Sequence, residues 1–157
     1  MDDIQLANAF NNLAGIYFAL DDLEQAETYN ELSLQIKDHW KNHADLDYIL
    51  SLSYSNIGNV HARREHWEEA AIFYTRAIEA SSKSPDTLKR ALTYHNFGCM
   101  RLTQGMLEAA LELLTEAYRL RSEKLGGHFD TANTLHMLAS CQFLLEDFQT
   151  SRYVFTI

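Results

Sequence analysis

Residues 54–80 read YSNIGNVHARREHWEEAAIFYTRAIEA, and the rest of the chain is a set of variations on them. The first half places Tyr54, Ile57, Gly58 and His61 three and four residues apart, so they share one face of a helix. The second half repeats the spacing with Trp67, Ala70, Phe73, Tyr74 and Ala77. Gly58, Ala70 and Ala77 are small where a second backbone must come close. Neither helix can bury its apolar stripe alone, so the stretch predicts a helical hairpin.

The pattern recurs when the chain is aligned on the small residue of the first helix, Ala14, Gly58, Gly98 and Ala139. Four residues earlier stand Phe10, Tyr54, Tyr94 and Leu135, and one earlier Leu13, Ile57, Phe97 and Leu138. Nine residues later come Leu23, Trp67, Leu107 and Phe148, and twelve later Ala26, Ala70, Ala110 and Ser151. At sixteen, Asn30, Tyr74, Leu114 and Phe155 fit less uniformly, while Ser33, Ala77 and Ala117 fill the last small slot.

These positions resemble the tetratricopeptide repeat, whose signature is a large residue, Leu-Gly and an aromatic, then Ala, aromatic and Ala in the second helix. The resemblance implies an all-α, right-handed superhelix, an α-solenoid of about three and a half helical hairpins forming one domain over residues 1–157. The repeats are expected near 4–41, 46–83, 85–125 and 128–157, the last incomplete. The anchors lie 44, 40 and 41 residues apart, longer than the usual repeat of about 34. The segment LGGHFDTANTLHMLA, Leu125 to Ala139, resembles the G-x-x-H-P-D-T-A link of the long-repeat branch found in kinesin light chains, with Phe129 in place of proline. Three residues after the anchor the family favours tyrosine; Tyr17 agrees, whereas His61, Arg101 and Gln142 do not, which suggests a partly solvated edge. Terminal repeats need a polar outer face, yet Tyr153, Val154, Phe155 and Ile157 are apolar. The expectation is a fragment of a longer array, or a chain end that self-associates with another subunit.

Local signals set the boundaries. A first helix is expected from Asp2 or Asp3 to Leu20, then Asp21 as cap with Glu24 reaching back, opening a helix to about Trp40. Lys41 to Asp45 breaks the pattern, and helices follow over 46–64 and 67–82. Ser84-Pro85 reads as a helix start, Gly105 as a turn and Gly126-Gly127 as a stop. The fourth copy is expected to run from His128 to Leu145, turn at Glu146-Asp147 and begin one more helix.

Composition limits the function. No apolar run spans a bilayer and the start lacks a signal peptide's basic and apolar regions, so a cytoplasmic protein without membrane contact is expected. Cys99 and Cys141 are too few for a disulfide framework or a zinc site. A net charge of −9 argues against nucleic acid and for a neutral or basic partner.

In repeats of this type the first helices line the inner, concave surface, and two residues before each anchor stand Asn12, Asn56 and Asn96, then Met137. A row of amides offers both donors and acceptors to the backbone of an extended peptide, and related long-repeat arrays resemble this chain in carrying such a ladder. The alternative is that each asparagine bonds the next repeat and fixes the stacking. Asn11, Ser55, His95 and His136 precede the ladder, Asn59, Cys99 and Ser140 follow the anchors, and Arg63 lies one turn further. The expected peptide-binding set is therefore Asn12, Asn56, Asn59, Arg63, His95, Asn96, His136 and Ser140. A chaperone-tail clamp needs several inner cations, and Arg63 alone does not supply them. His39 and His43 lack further ligands and read as surface residues, so no metal is expected; His95 and His136 occupy equivalent slots that could face each other. Cys99 and His95 stand four apart without a third orienting group, so no catalytic residue is expected. Gly126-Gly127 has no phosphate-binding lysine after it, and no cofactor is expected. The reading is a non-catalytic protein-interaction scaffold holding an extended peptide. The alternative is a regulatory, sensor or self-association domain of a larger signalling protein or enzyme.

Overall fold

The computed structural model describes residues 3–36, 46–82 and 86–154, with side chains placed through Glu146. Among these residues the chain forms helices and no strand: α1 (Asp3–Ala19), α2 (Leu23–Gln35), α3 (Leu46–Arg63), α4 (Trp67–Ser82), α5 (Thr87–Thr103), α6 (Leu107–Leu125) and α7 (Phe129–Val154). They gather into two compact units, residues 1–90 and 91–157. In the first, α1 pairs with α2 and α3 with α4, and α3 also packs on α1 and α2. In the second, α7 packs on α6.

The three hairpins bend in the same way. Seven residues after each anchor, Asp21, Glu65 and Gly105 adopt φ of 62°, 59° and 74°. The next residue then donates its backbone N–H five residues back: Asp22 to Tyr17 at 2.9 Å, His66 to His61 at 2.9 Å and Met106 to Arg101 at 3.0 Å. A second bond runs three residues back, Asp21 to Phe18, Glu65 to Ala62 and Gly105 to Leu102. This pair of bonds satisfies carbonyls left over at a helix end, and it requires a left-handed residue at the bend. Because Asp21 takes that place, the cap of α2 is Asp22, whose Oδ1 accepts from the Gln25 N–H at 3.1 Å. The expected Asp21 cap is thus displaced by one residue.

Two further boundaries differ from expectation. Asp86 caps α5, its Oδ1 accepting from Leu88 and Lys89 N–H at 3.1 and 3.3 Å. Ser84 and Pro85, His39 and His43, and the break at 41–45 lie outside the described residues. The expected turn at Glu146-Asp147 is absent: α7 continues unbroken for 26 residues. Glutamate favours the helix and gains nothing from the left-handed region by itself. Glu65 is held there by the packing of α4 on α3.

The small slots form the core. Ala26, Ala70 and Ala110 are each 0% exposed, as are Ala77 and Ala117. Asn30, Tyr74 and Leu114 fill the slot between them, all buried. A Cβ on Gly58 would lie 2.9 Å from Tyr74, and one on Gly98 2.7 Å from Leu114, so glycine stands where the facing side chain is large. In the first copy the anchor is the buried Ala14, and the residue sixteen further on is the smaller Asn30, also buried. Burying Tyr74 or Leu114 contributes roughly 1.5–3 kcal/mol. Tyr17 stacks on Tyr29 with centroids 5.3 Å apart, and His61 stacks on Phe73 at the same distance. His61 therefore replaces the family's tyrosine by flat-ring packing, half-buried as its neighbours are.

Candidate functional site

The first unit carries a hollow of about 570 Å³ between the outward faces of α1 and α3. Asn8, Asn12 and Asn56 bring amides to it, and Ile16, Tyr48 and Leu52 supply apolar surface. Successive turns of one helix produce this lining: Asn8, Asn12 and Ile16 are four apart on α1, as are Tyr48, Leu52 and Asn56 on α3. Gly15 and Ala19 keep the α1 side open by leaving little side chain in the way, and Asn11 forms part of the wall. Lys89 reaches it from the start of α5, its Nζ 5.9 Å from the Tyr48 ring centroid.

Asn12 is exposed and Asn56 half-buried. The Asn56 Nδ2 points to the backbone carbonyl of Asn11 at 3.5 Å, a long contact across to the neighbouring hairpin. Asn11 is buried, its Oδ1 accepting from Ser53 Oγ at 2.9 Å. Ser53 Oγ lies 3.1 Å from Ser33 Oγ, which donates to the Ala7 carbonyl at 3.2 Å. A chain of buried polar groups beneath the hollow thus ties α1, α2 and α3 together, and each bond inside a low-dielectric interior is costly to lose.

Tetratricopeptide-repeat profiles match residues 6–37 and 48–123. The chain is a tetratricopeptide-repeat protein. Its all-α solenoid fold is shared with the crystal structure of BtubC (BKLC) from P. vanneervenii, at a TM-score of 0.77 and 19% sequence identity over 98% of this chain. This chain spans 61% of that one. No curated protein matches it by sequence. Tetratricopeptide repeats serve in general as scaffolds for protein–protein interaction.

Within this repeat protein the expected site residues divide. Asn12 and Asn56 meet at the hollow. Asn59 serves the core of its own hairpin, its Oδ1 accepting from the buried Tyr74 hydroxyl at 2.7 Å. Arg63 is exposed, stacked over the Phe18 ring at 5.4 Å with Asp21 3.8 Å away, and joins the edges of α1 and α3. Asn96 is half-buried on α5. Ser140 bonds back to the His136 carbonyl of its own helix at 2.9 Å, and His136 is exposed.

His95 corrects the expectation most clearly. It is 8% exposed, not groove-lining, and does not face the exposed His136 as a pair. The Nδ1 lies 3.3 Å from Thr134 Oγ1, which accepts from Arg121 Nη1 at 2.5 Å. Arg121 is itself buried and also donates to the Asp130 carbonyl at 2.9 Å. Burial, reinforced by the Arg121 charge, lowers the His95 pKa from 6.5 to about 4. On its other side Nε2 meets Cys99 Sγ at 3.6 Å, and burial raises that thiol. A nucleophilic cysteine needs the opposite pair of shifts, a lowered thiol beside a protonated imidazole. Among the described residues no cluster of three metal-ligating side chains occurs, and no helix is long and apolar enough to cross a membrane.

Asn8, Ile16, Tyr48, Leu52 and Lys89 were not anticipated. The signal was present for four of them: they stand one or two turns from Asn12 or Asn56 on the same face. Lys89 enters from another helix, which only packing could place.

Proposed function

We propose that the hollow between α1 and α3 binds an extended peptide segment of a partner protein. The observation that carries this is the convergence of Asn8, Asn12 and Asn56 amides beside the apolar Ile16, Leu52 and Tyr48 in one space of about 570 Å³. An extended backbone presents a carbonyl and an N–H at each residue, and amides answer both. Alternate side chains then point into the wall, where Ile16 and Leu52 favour an apolar anchor. The chain's net charge of −9 favours a partner neutral to basic outside the anchor. Cys99 and Cys141 are both unpaired thiols, which suits the cytoplasm we assign as its place of work.

Selection from a displayed library of ten- to fifteen-residue peptides, run beside Asn12→Ala and Ile16→Glu variants, tests the reading. Both side chains are exposed, so the fold survives the changes. Selected peptides are expected to bind the wild type and to lose at least tenfold in affinity to either variant. Equal binding by all three proteins removes the hollow as the working surface.

A further inference from the structure

We infer that Asn11 and Gly15 form a side-chain subsite within the hollow, which the partner's segment fills with the carboxamide of an asparagine or glutamine. The inference rests on the reading of the hollow as a peptide site. Asn11 lines the hollow and is 2% exposed. Its Oδ1 accepts from Ser53, whereas its Nδ2 has no hydrogen-bond partner. A buried N–H left unmatched is costly, and a ligand that brings an acceptor to it removes the cost. Repeat register shows why this amide is open. Asn11 lies three residues before its anchor and Gly15 one residue after it, one helical turn apart on the same face. A helical side chain leans over the turn before its own Cα, so the later position covers the earlier one. In the third repeat it does so: Cys99 brings Sγ to 3.6 Å from Nε2 of His95. In the second repeat Asn59 holds the covering position. In the first the position is glycine, and a Cβ built on Gly15 would meet no atom within 4 Å.

The surrounding groups select the chemistry. Asn8 and Asn12 stand on the same wall as Asn11, and each amide carries a donor and an acceptor. Among the described lining residues there is no carboxylate, and Lys89 is the single cation. A carboxamide gives its oxygen to Asn11 Nδ2 and its own N–H to a neighbouring amide oxygen, so no charge is taken out of water. A carboxylate has no donor for that second bond. It would also lose hydration beside a neutral amide, in a chain whose net charge of −9 opposes its approach. An aliphatic side chain leaves Nδ2 unmatched.

Peptides selected on the wild-type chain, resynthesised with each residue in turn replaced by alanine, test the subsite by titration calorimetry. Each asparagine or glutamine is also replaced by its acid. One carboxamide is expected to be required, with alanine or the acid in its place weakening binding about tenfold. Two variants should abolish that dependence, so that the parent peptide and its alanine form bind alike. Asn11→Ser puts there the residue that the second repeat carries as Ser55. Gly15→Leu fills the opening where a Cβ meets no neighbour, and it reads the subsite even if Asn11→Ser loosens the fold. A preference for the acid, no required carboxamide, or a requirement that survives Gly15→Leu overturns the subsite, while binding lost in Asn12→Ala leaves the hollow in place. If no peptide is selected, or Asn12→Ala and Ile16→Glu bind as the wild type does, both readings fall together.

Discussion

Gly98 shows how one missing methyl sets a helix crossing. A Cβ there would stand 2.7 Å from Leu114 Cγ and 3.3 Å from the Leu114 backbone nitrogen, so α6 would have to move. Gly98→Ala is expected to destabilise by about 1–3 kcal/mol, the overpacking strain exceeding the roughly 1 kcal/mol that alanine gains in a helix. Urea unfolding midpoints of the two proteins measure it, and an unchanged or higher midpoint contradicts the crossing described. His95 supplies a second test. The folded protein keeps it neutral down to about pH 4, while the unfolded chain takes up a proton near 6.5. Stability contributed by neutral His95 is therefore complete above pH 6.5 and lost as pH falls toward 4. The thermal midpoint is expected to decline over that window, and His95→Gln, which has no proton to gain, to decline less.

At the scale of elements, the bends deserve most weight. Glu65 occupies φ 59° without glycine's freedom and is exposed, so its side chain contributes little to the core. Glu65→Gly is expected to raise stability by about 1 kcal/mol, since a left-handed non-glycine residue costs roughly 1–2 kcal/mol and glycine returns part of that gain as unfolded-state entropy. A lower denaturation midpoint for this variant is the adverse result. Helix type and extent were legible because the small-residue slots repeat at fixed spacings: Trp67–Ser82 falls where the spacing puts it. The Asp21 cap and the Glu146 turn were misplaced for one reason. Both depend on which residue takes the left-handed conformation, and that choice is made by two helices packing, not by a propensity visible in either residue.

For the molecule as a whole, the two compact units imply that damage stays local. Arrays of repeats gain stability from nearest neighbours, so a core defect loosens its own surroundings first. Leu114→Ala is expected to cost about 2–5 kcal/mol. Amide exchange should accelerate more in α6 and α7 than in α1 to α4; uniform acceleration would mean a single cooperative unit. The sequence by itself determined the all-α repeat fold, because binary spacing of small and large residues fixes which helix faces meet. It also determined that asparagines would recur on one face of the first helices. Only the tertiary structure decided their roles: Asn12 and Asn56 meet at a hollow, while Asn11 and Asn59 bond within the packing. A difference of one residue turns a helical side chain by about 100°, from the 3.6-residue period. That rotation separates the groove from the core, and it acquires meaning only once a neighbouring helix lies alongside.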